Sequence, residues 1–227
     1  MIVAAIVVVV LMIAAALVIT VPIRRRLPVT RGTMTVVGLR APVTVVRDRR
    51  GVPHVDAASM EDAAYAMGVV HAQERLWQLD LARRVASGRI SEIAGPEGLT
   101  ADRFLRRVGL RRIAEEEAEL LGGEAAAMLE AYAAGVNAVL DSGRRLPVEF
   151  SMLRTRPERW RPVDSIVCAK LLALSLSLNW DSELQRLRLV QEVGPDIAAR
   201  LELTYPDSNP TILAGTVAAV PAGTGDG

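Results

Sequence analysis

The sequence predicts a mainly α-helical chain with a short N-terminal β-hairpin, preceded by a transmembrane helix. Three observations carry that expectation. The first 23 residues hold no charged side chain. Two β-branched runs then flank a charged turn. From Ser59 onward the apolar residues recur at helical spacing.

The opening stretch "MIVAAIVVVVLMIAAALVITVPI" is followed by Arg24, Arg25 and Arg26. A helix needs roughly 20 apolar residues to cross a bilayer. A secretory apolar region is usually about 7–15 residues long and follows a basic start. This stretch is longer and lacks the basic start, so residues 1–23 read as a membrane anchor. Arg24–Arg26 on their own place the body in the cytoplasm.

Residues 24–42, punctuated by Pro28, Gly32, Gly38 and Pro42, read as a tether. Val43–Val46 and Val52–Val55 flank "RDRRG", a hairpin signal in which Asp48 and Gly51 suit the turn. Ser59 and Asp62 give the S-x-x-D start of a helix expected to run to about Val85. Val69, Ala72, Leu76 and Leu79 line one face of it, and Val70, Trp77, Leu81 and Val85 a second. A helix apolar on two faces is buried between partners. Further helices are expected over 110–121, 124–141, 163–178, 181–193 and 195–203, separated by Gly122-Gly123, Gly143 and Gly194-Pro195. Residues 207–227 are small and Gly-rich without periodicity, a linker-like tail.

Composition excludes several functions. Of 27 basic residues only Lys170 is a lysine, and the net charge of +1 argues neither for nor against nucleic acid. The run Arg103, Arg106, Arg107, Arg111 and Arg112 lacks interleaved stacking aromatics beyond Phe104 and reads as a solvated or ion-paired helix face. The single Cys168 forms no internal disulfide and sits in an apolar run, as core thiols do. There is no G-x-S-x-G, no phosphate loop and no H-E-x-x-H.

The busiest stretch is "HAQERLWQ", residues 71–78. His71 and Glu74 at i, i+3 have the spacing of a shared metal, but His54 is the only other histidine. The plainer reading is a polar cluster with Glu74 on Arg75, Arg83 or Arg84, and His71 hydrogen-bonded at a helix interface. His71, Glu74, Arg75 and Gln78 then tie the helix to its surroundings.

The stretch from Val43 to Gly95, together with "DRFLRRVGL", "LEAYAAGVNAVL", "LPVEF", "ERWRPVDSI" and "LSLSLNWDSELQRLRL", resembles, in order, the amino-terminal part of the penicillin acylase (penicillin amidase) family. The resemblance covers residues 41–206, and the α-chain-like region is set at 43–206. It implies the α-chain part of an N-terminal nucleophile hydrolase: an αββα sandwich, incomplete without its β chain, cut from one self-processing precursor. The nucleophile implied is the serine that begins the β chain, with its own α-amino group as base. That amine has a pKa of about 7.7–8.0, so a usable fraction is neutral near neutral pH. No catalytic residue is then expected here, and the partners implied are the β chain and a small-molecule amide.

The resemblance also implies site residues. A helix of the α chain lines the acyl pocket, matching Ala173, Leu176 and Ser177. Small residues at 173 and 177, four apart on one face, leave room for an acyl chain longer than phenylacetyl. Glu183 matches a calcium ligand, and most of the other oxygens would come from the β chain. Glu183 paired with Arg186, and Ser177 bonded within its helix, are the plainer alternatives. Asp164 reads as a helix cap, and Trp160 and Trp180 as packing. The family works outside the cytoplasmic membrane, so an anchored, extracytoplasmic body is expected against the charge rule. The alternative function is a non-catalytic, membrane-anchored helical remnant that binds or scaffolds.

Overall fold

The computed structural model describes Met12, residues 26–177 and residues 179–202. The expected anchor, apart from Met12, and the expected tail lie outside the described residues. Among those described, no single helix is long and apolar enough to cross a membrane. The chain divides into two units, 1–176 and 177–227.

The first unit begins with the hairpin. Strands β1 (Thr44–Arg47) and β2 (Pro53–Asp56) pair antiparallel, with Val46 opposite His54. The Asp48 carboxylate accepts hydrogen bonds from the backbone N–H groups of Arg50 (2.8 Å) and Val52 (2.9 Å). Gly51 takes φ 81°, which a side chain would resist.

Helix α1 (Met60–Ala86) starts where Ser59 predicts, its Oγ accepting from the Asp62 N–H (3.1 Å). Asp62 does not reach back to close a capping box. Its carboxylate accepts from the Arg40 backbone N–H instead (2.9 Å), fastening the tether to the helix. That bond is the largest cause of its lowered pKa.

Helices α2 (Ser91–Ala94) and α3 (Leu99–Val108), joined by a 3₁₀ turn over Gly95–Gly98, fill a segment for which the sequence suggested no helix. Their frame is Asp102, which accepts from Ile90 N (2.7 Å), Ser91 N (2.9 Å) and Ser91 Oγ (2.5 Å). Helices α4 (Leu110–Leu120), α5 (Gly123–Asp141), α6 (Val148–Met152) and α7 (Pro162–Leu176) complete the unit.

Two apolar clusters hold it together. In the first, Tyr65, Val69, Ala72 and Leu76 of α1 meet Ala133, Val136 and Val139 of α5, closed by Phe150 and Trp160. In the second, Ala86, Leu105, Leu110 and Ala114 pack on Val163, Ile166 and Val167 of α7. Val136 and Val167 are fully enclosed, each worth about 1.5–3 kcal/mol of transfer free energy. The expected double-faced burial of α1 follows: its first half packs on α5 and its end on α7.

Helices α1 and α5 cross at backbone contact. A Cβ built on Gly68 would lie 3.1 Å from Tyr132 C and Val136 N, with Tyr132 O nearer still. One built on Gly135 would lie 2.9 Å from Tyr65 C, with Tyr65 O nearer still. The two glycines are reciprocal, each accommodating the other helix's carbonyl.

The second unit contains α8 (Trp180–Val193) and α9 (Pro195–Leu201), broken by Gly194 at φ 82° and Pro195 at the first helical position. Arg186 pairs with Glu202, and Ala198 is the buried anchor.

Candidate functional site

Helix α7 carries two of the expected pocket residues, so what positions it matters first. Pro162 occupies its first turn, and the Asp164 carboxylate accepts from the Arg161 N–H (2.7 Å), the cap expected of it. Asp164 is also enclosed, and two guanidinium groups reach it, Arg111 at 2.6 Å and Arg83 at 3.5 Å. Arg83 pairs with Asp80, donates to the Glu158 and Arg159 carbonyls (3.3 and 3.2 Å), and lies 5.4 Å from the centre of the Trp160 ring. Arg84 bonds Asp80 (2.8 Å) and pairs with Glu92. Asp80, Arg83, Arg84 and Asp164 are all buried. This network joins α1, α4 and the 155–160 loop to the start of α7. The sequence reading missed it, although "DLARR" shows its signal: an acid followed at i+3 and i+4 by arginines on an apolar helix.

Helix α7 then changes character. Val163, Ile166 and Val167 are buried, whereas Leu172 is 60% and Leu176 79% exposed, with Ala173 exposed between them. The helix ends at Leu176, short of the expected 178, so Ser177 lies past its last turn and shares no helix face with Ala173. Beyond it, the Asn179 N–H donates to the Ser177 carbonyl (2.9 Å). Glu183 stands in the first turn of α8, exposed, its carboxylate 3.8 Å from Arg186. Among the described residues no three His, Cys, Asp or Glu side chains converge on a metal position.

"HAQERLWQ" resolves into packing. His71 Nδ1 is 3.0 Å from the Tyr132 hydroxyl and edge-on to its ring. Glu74 pairs with Arg47 of β1, not with Arg75, Arg83 or Arg84, because Arg83 and Arg84 point into the Asp80 network. Arg75 leaves helical geometry (φ −135°, ψ 22°), and its side chain, like that of Gln78, makes no hydrogen bond among the described residues. Among the described residues neither ties the helix to its surroundings by a hydrogen bond, contrary to expectation.

Beside His71, a cavity of about 400 Å³ lies between α1, α5 and α7, lined by Met60, Met67, Met128, Tyr132, Trp160 and Cys168 among others. Desolvation lowers the His71 pKa against the opposing pull of Glu74. Burial pushes the Tyr132 phenol up to about 12 and the Cys168 thiol up to about 11. Both groups stay protonated near neutral pH, so neither is an activated nucleophile.

A helical body with one bare helix end and no activated nucleophile among these groups invites comparison with known proteins. The family model described as Penicillin amidase matches residues 42–219. The chain belongs to the penicillin amidase family. Relatives include the penicillin acylase 2 proenzyme of Pseudomonas sp. (strain SE83), 43% identical over 187 residues, covering 82% of this chain and 24% of the relative. An acyl-homoserine lactone acylase of Pseudomonas aeruginosa is 40% identical over 184 residues, covering 81% of this chain and 22% of the relative. The chain thus spans about a quarter of the length of the curated relatives it matches. A solved thermostable penicillin G acylase from Alcaligenes faecalis superposes with a TM-score of 0.61 at 28% identity, covering 75% of this chain and 97% of that one.

Proposed function

We propose that this chain is the α-chain portion of a self-processing acylase that hydrolyses linear amide bonds, with the nucleophilic serine on a β chain. The observation that carries the proposal is a mismatch of lengths. The chain covers 97% of one chain of a solved penicillin G acylase but under a quarter of curated relatives, one of them named as a proenzyme. The bare end of α7 supports it, since Leu172, Ala173 and Leu176 present an apolar surface that a partner would cover.

In the proposed complex the serine Oγ of the β chain attacks the amide carbonyl and its α-amine takes the proton. The amine product leaves, and water releases the acyl group. This chain contributes part of the acyl pocket through Ala173, Leu176 and Ser177. The small side chain of Ala173 favours extended aliphatic acyl groups, and the acyl-homoserine lactone acylase among the relatives supports that preference. Glu183 offers one carboxylate to a calcium ion, which takes about 6–8 oxygens, so the β chain would supply most of the set. The uncharged residues 1–23 anchor the body at the extracytoplasmic face of the membrane.

The test is complementation. The 227-residue chain alone should hydrolyse neither acyl-homoserine lactones nor phenylacetyl amides. Co-expression with a β chain from a family relative should restore amide hydrolysis, with aliphatic acyl groups preferred. Robust hydrolysis by the chain alone refutes the division of labour. Failure of every β chain to bind it or restore activity favours the remnant.

A further inference from the structure

The cavity beside His71 shares a face of α7 with the bare helix end. From α1, Met60, Met67 and His71 line it at helical spacing, so they share one side of that helix. From α5 come Met128 and Tyr132, four residues apart. From α7 come Ser165 and Cys168. Leu172 and Leu176 follow Cys168 at four and eight positions, and both are exposed. Ser165, Cys168, Leu172 and Leu176 therefore form one stripe down α7. The cavity and the bare end of the helix are one continuous surface.

The chemistry of the wall narrows what can cover it. No Asp, Glu, Lys or Arg is among the described residues that line the cavity. Its polar side chains are spent on one another. His71 Nδ1 and the Tyr132 hydroxyl are 3.0 Å apart, and Ser165 Oγ accepts from Trp160 Nε1 (3.0 Å). The imidazole, its pKa lowered by desolvation, is neutral near neutral pH. The wall offers no partner to a charge and calls for apolar contact. Met60 and Met67 stand at its mouth, 54% and 46% exposed. Methionine is the side chain that best adapts to an incoming apolar group. Contiguous apolar surface of this kind marks an interaction site.

The comparison of lengths says which partner is at hand. The chain covers 97% of one chain of a solved penicillin G acylase but 24% of the penicillin acylase 2 proenzyme, so most of such a proenzyme lies outside the matched region. That remainder is the partner already set against Leu172 and Leu176, and the stripe on α7 carries it on to the cavity.

We infer that the β chain of the proposed acylase runs along α7 and lays an uncharged, apolar segment in the cavity between α1, α5 and α7, against Met60, Met67 and Met128. The cavity is then an anchor of assembly. The inference rests on the α-chain reading, and the test tells the two apart.

The full 227-residue chain, tagged, is co-expressed with the remaining portion of the Pseudomonas penicillin acylase 2 proenzyme, and the amount of that portion retained on the tag is measured. Met67→Glu puts a carboxylate into the apolar wall and should cut retention at least about tenfold, as loss of a central interface anchor does. Met67→Leu should retain it like the parent. So should Met152→Glu, since Met152 is exposed but lies outside the cavity. A second measurement does not depend on how the glutamate variant folds. Met67→Cys in a Cys168→Ala background leaves one thiol in this chain. Its reaction with a maleimide, read from the mass of this chain, should be several-fold slower in the complex than in the free chain. Met152→Cys in the same background should react equally in both. Equal rates at position 67, or undiminished retention by Met67→Glu, overturn the surface and leave the α-chain reading standing. Slow labelling of the free chain that quickens on dilution means that a second copy covers the cavity, and overturns it too. A parent chain that retains nothing overturns both.

Discussion

Replacing Gly68 with alanine should reverse the usual sign of a glycine-to-alanine change in a helix. At an unobstructed helical site the substitution stabilises by about 1 kcal/mol. In α1 the new Cβ would stand 3.1 Å from both Tyr132 C and Val136 N, and closer to Tyr132 O. The obstacle is backbone inside α5, which cannot rotate away as a side chain would. The helices must separate, loosening the cluster of Tyr65, Val69, Ala72, Ala133 and Val136. Overpacking costs about 1–3 kcal/mol and occasionally more. An obstacle of rigid backbone puts this site at the upper end, for a net loss of about 2 kcal/mol after the propensity gain. Gly135→Ala meets Tyr65 in the same way. The pair should be markedly less than additive, because one displacement relieves both clashes. Gly122 has extended backbone and open space, so Gly122→Ala should stay within about 0.5 kcal/mol of the parent. Urea unfolding followed by tryptophan fluorescence measures all four. A Gly68→Ala chain as stable as the parent would refute the close crossing.

Two further predictions concern charge. Asp164→Ala leaves Arg83 enclosed with one acid fewer and should cost about 3–5 kcal/mol, the usual range for breaking a buried pair, with Asp164→Asn costing less because it keeps an oxygen for the Arg161 N–H; an Asp164→Asn chain as stable as the parent in urea unfolding would refute the ionic role. Hydrogen bonding to Arg89 holds the Glu158 pKa down to about 2, against an ordinary 4.5. A depressed carboxylate contributes stability above its unfolded pKa and loses it as pH falls through the folded one. The Glu158 contribution should therefore fade between about pH 4.5 and 2, and Glu158→Gln should flatten that part of the stability profile; a variant with an unchanged acid limb would contradict the Arg89 pairing.

The sequence made local structure legible and left distant pairing unread. The hairpin turn follows from Asp48 and Gly51, and the start of α1 from Ser59, because each partner lies within a few residues. Helix periodicity located α4, α5, α7, α8 and α9 to within one or two residues. It failed over 91–108. There Gly95-Pro96 and Gly98 read as loop, and the ordering group, Asp102, works by accepting three bonds from residues 11 and 12 positions earlier. Glu74 was assigned to nearby arginines because sequence proximity gives no hint of Arg47 across the fold. Ala173 and Leu176 were placed on the right helix. Ser177 was not, since a two-residue difference at a helix end decides which residues share a face.

The buried charges around Asp164 also act as a register key. Apolar surfaces tolerate sliding, because one leucine substitutes for another in a greasy groove. A guanidinium sealed from water does not. If α7 docked one turn out of place, Asp164 would move about 5.4 Å along the axis, beyond the reach of Arg83 and Arg111, leaving Arg83 short of an acid in the protein interior. Of the many ways an apolar helix can lie along its neighbours, the network admits one. It therefore also dictates, from three turns away, where the uncovered Leu172, Ala173 and Leu176 face.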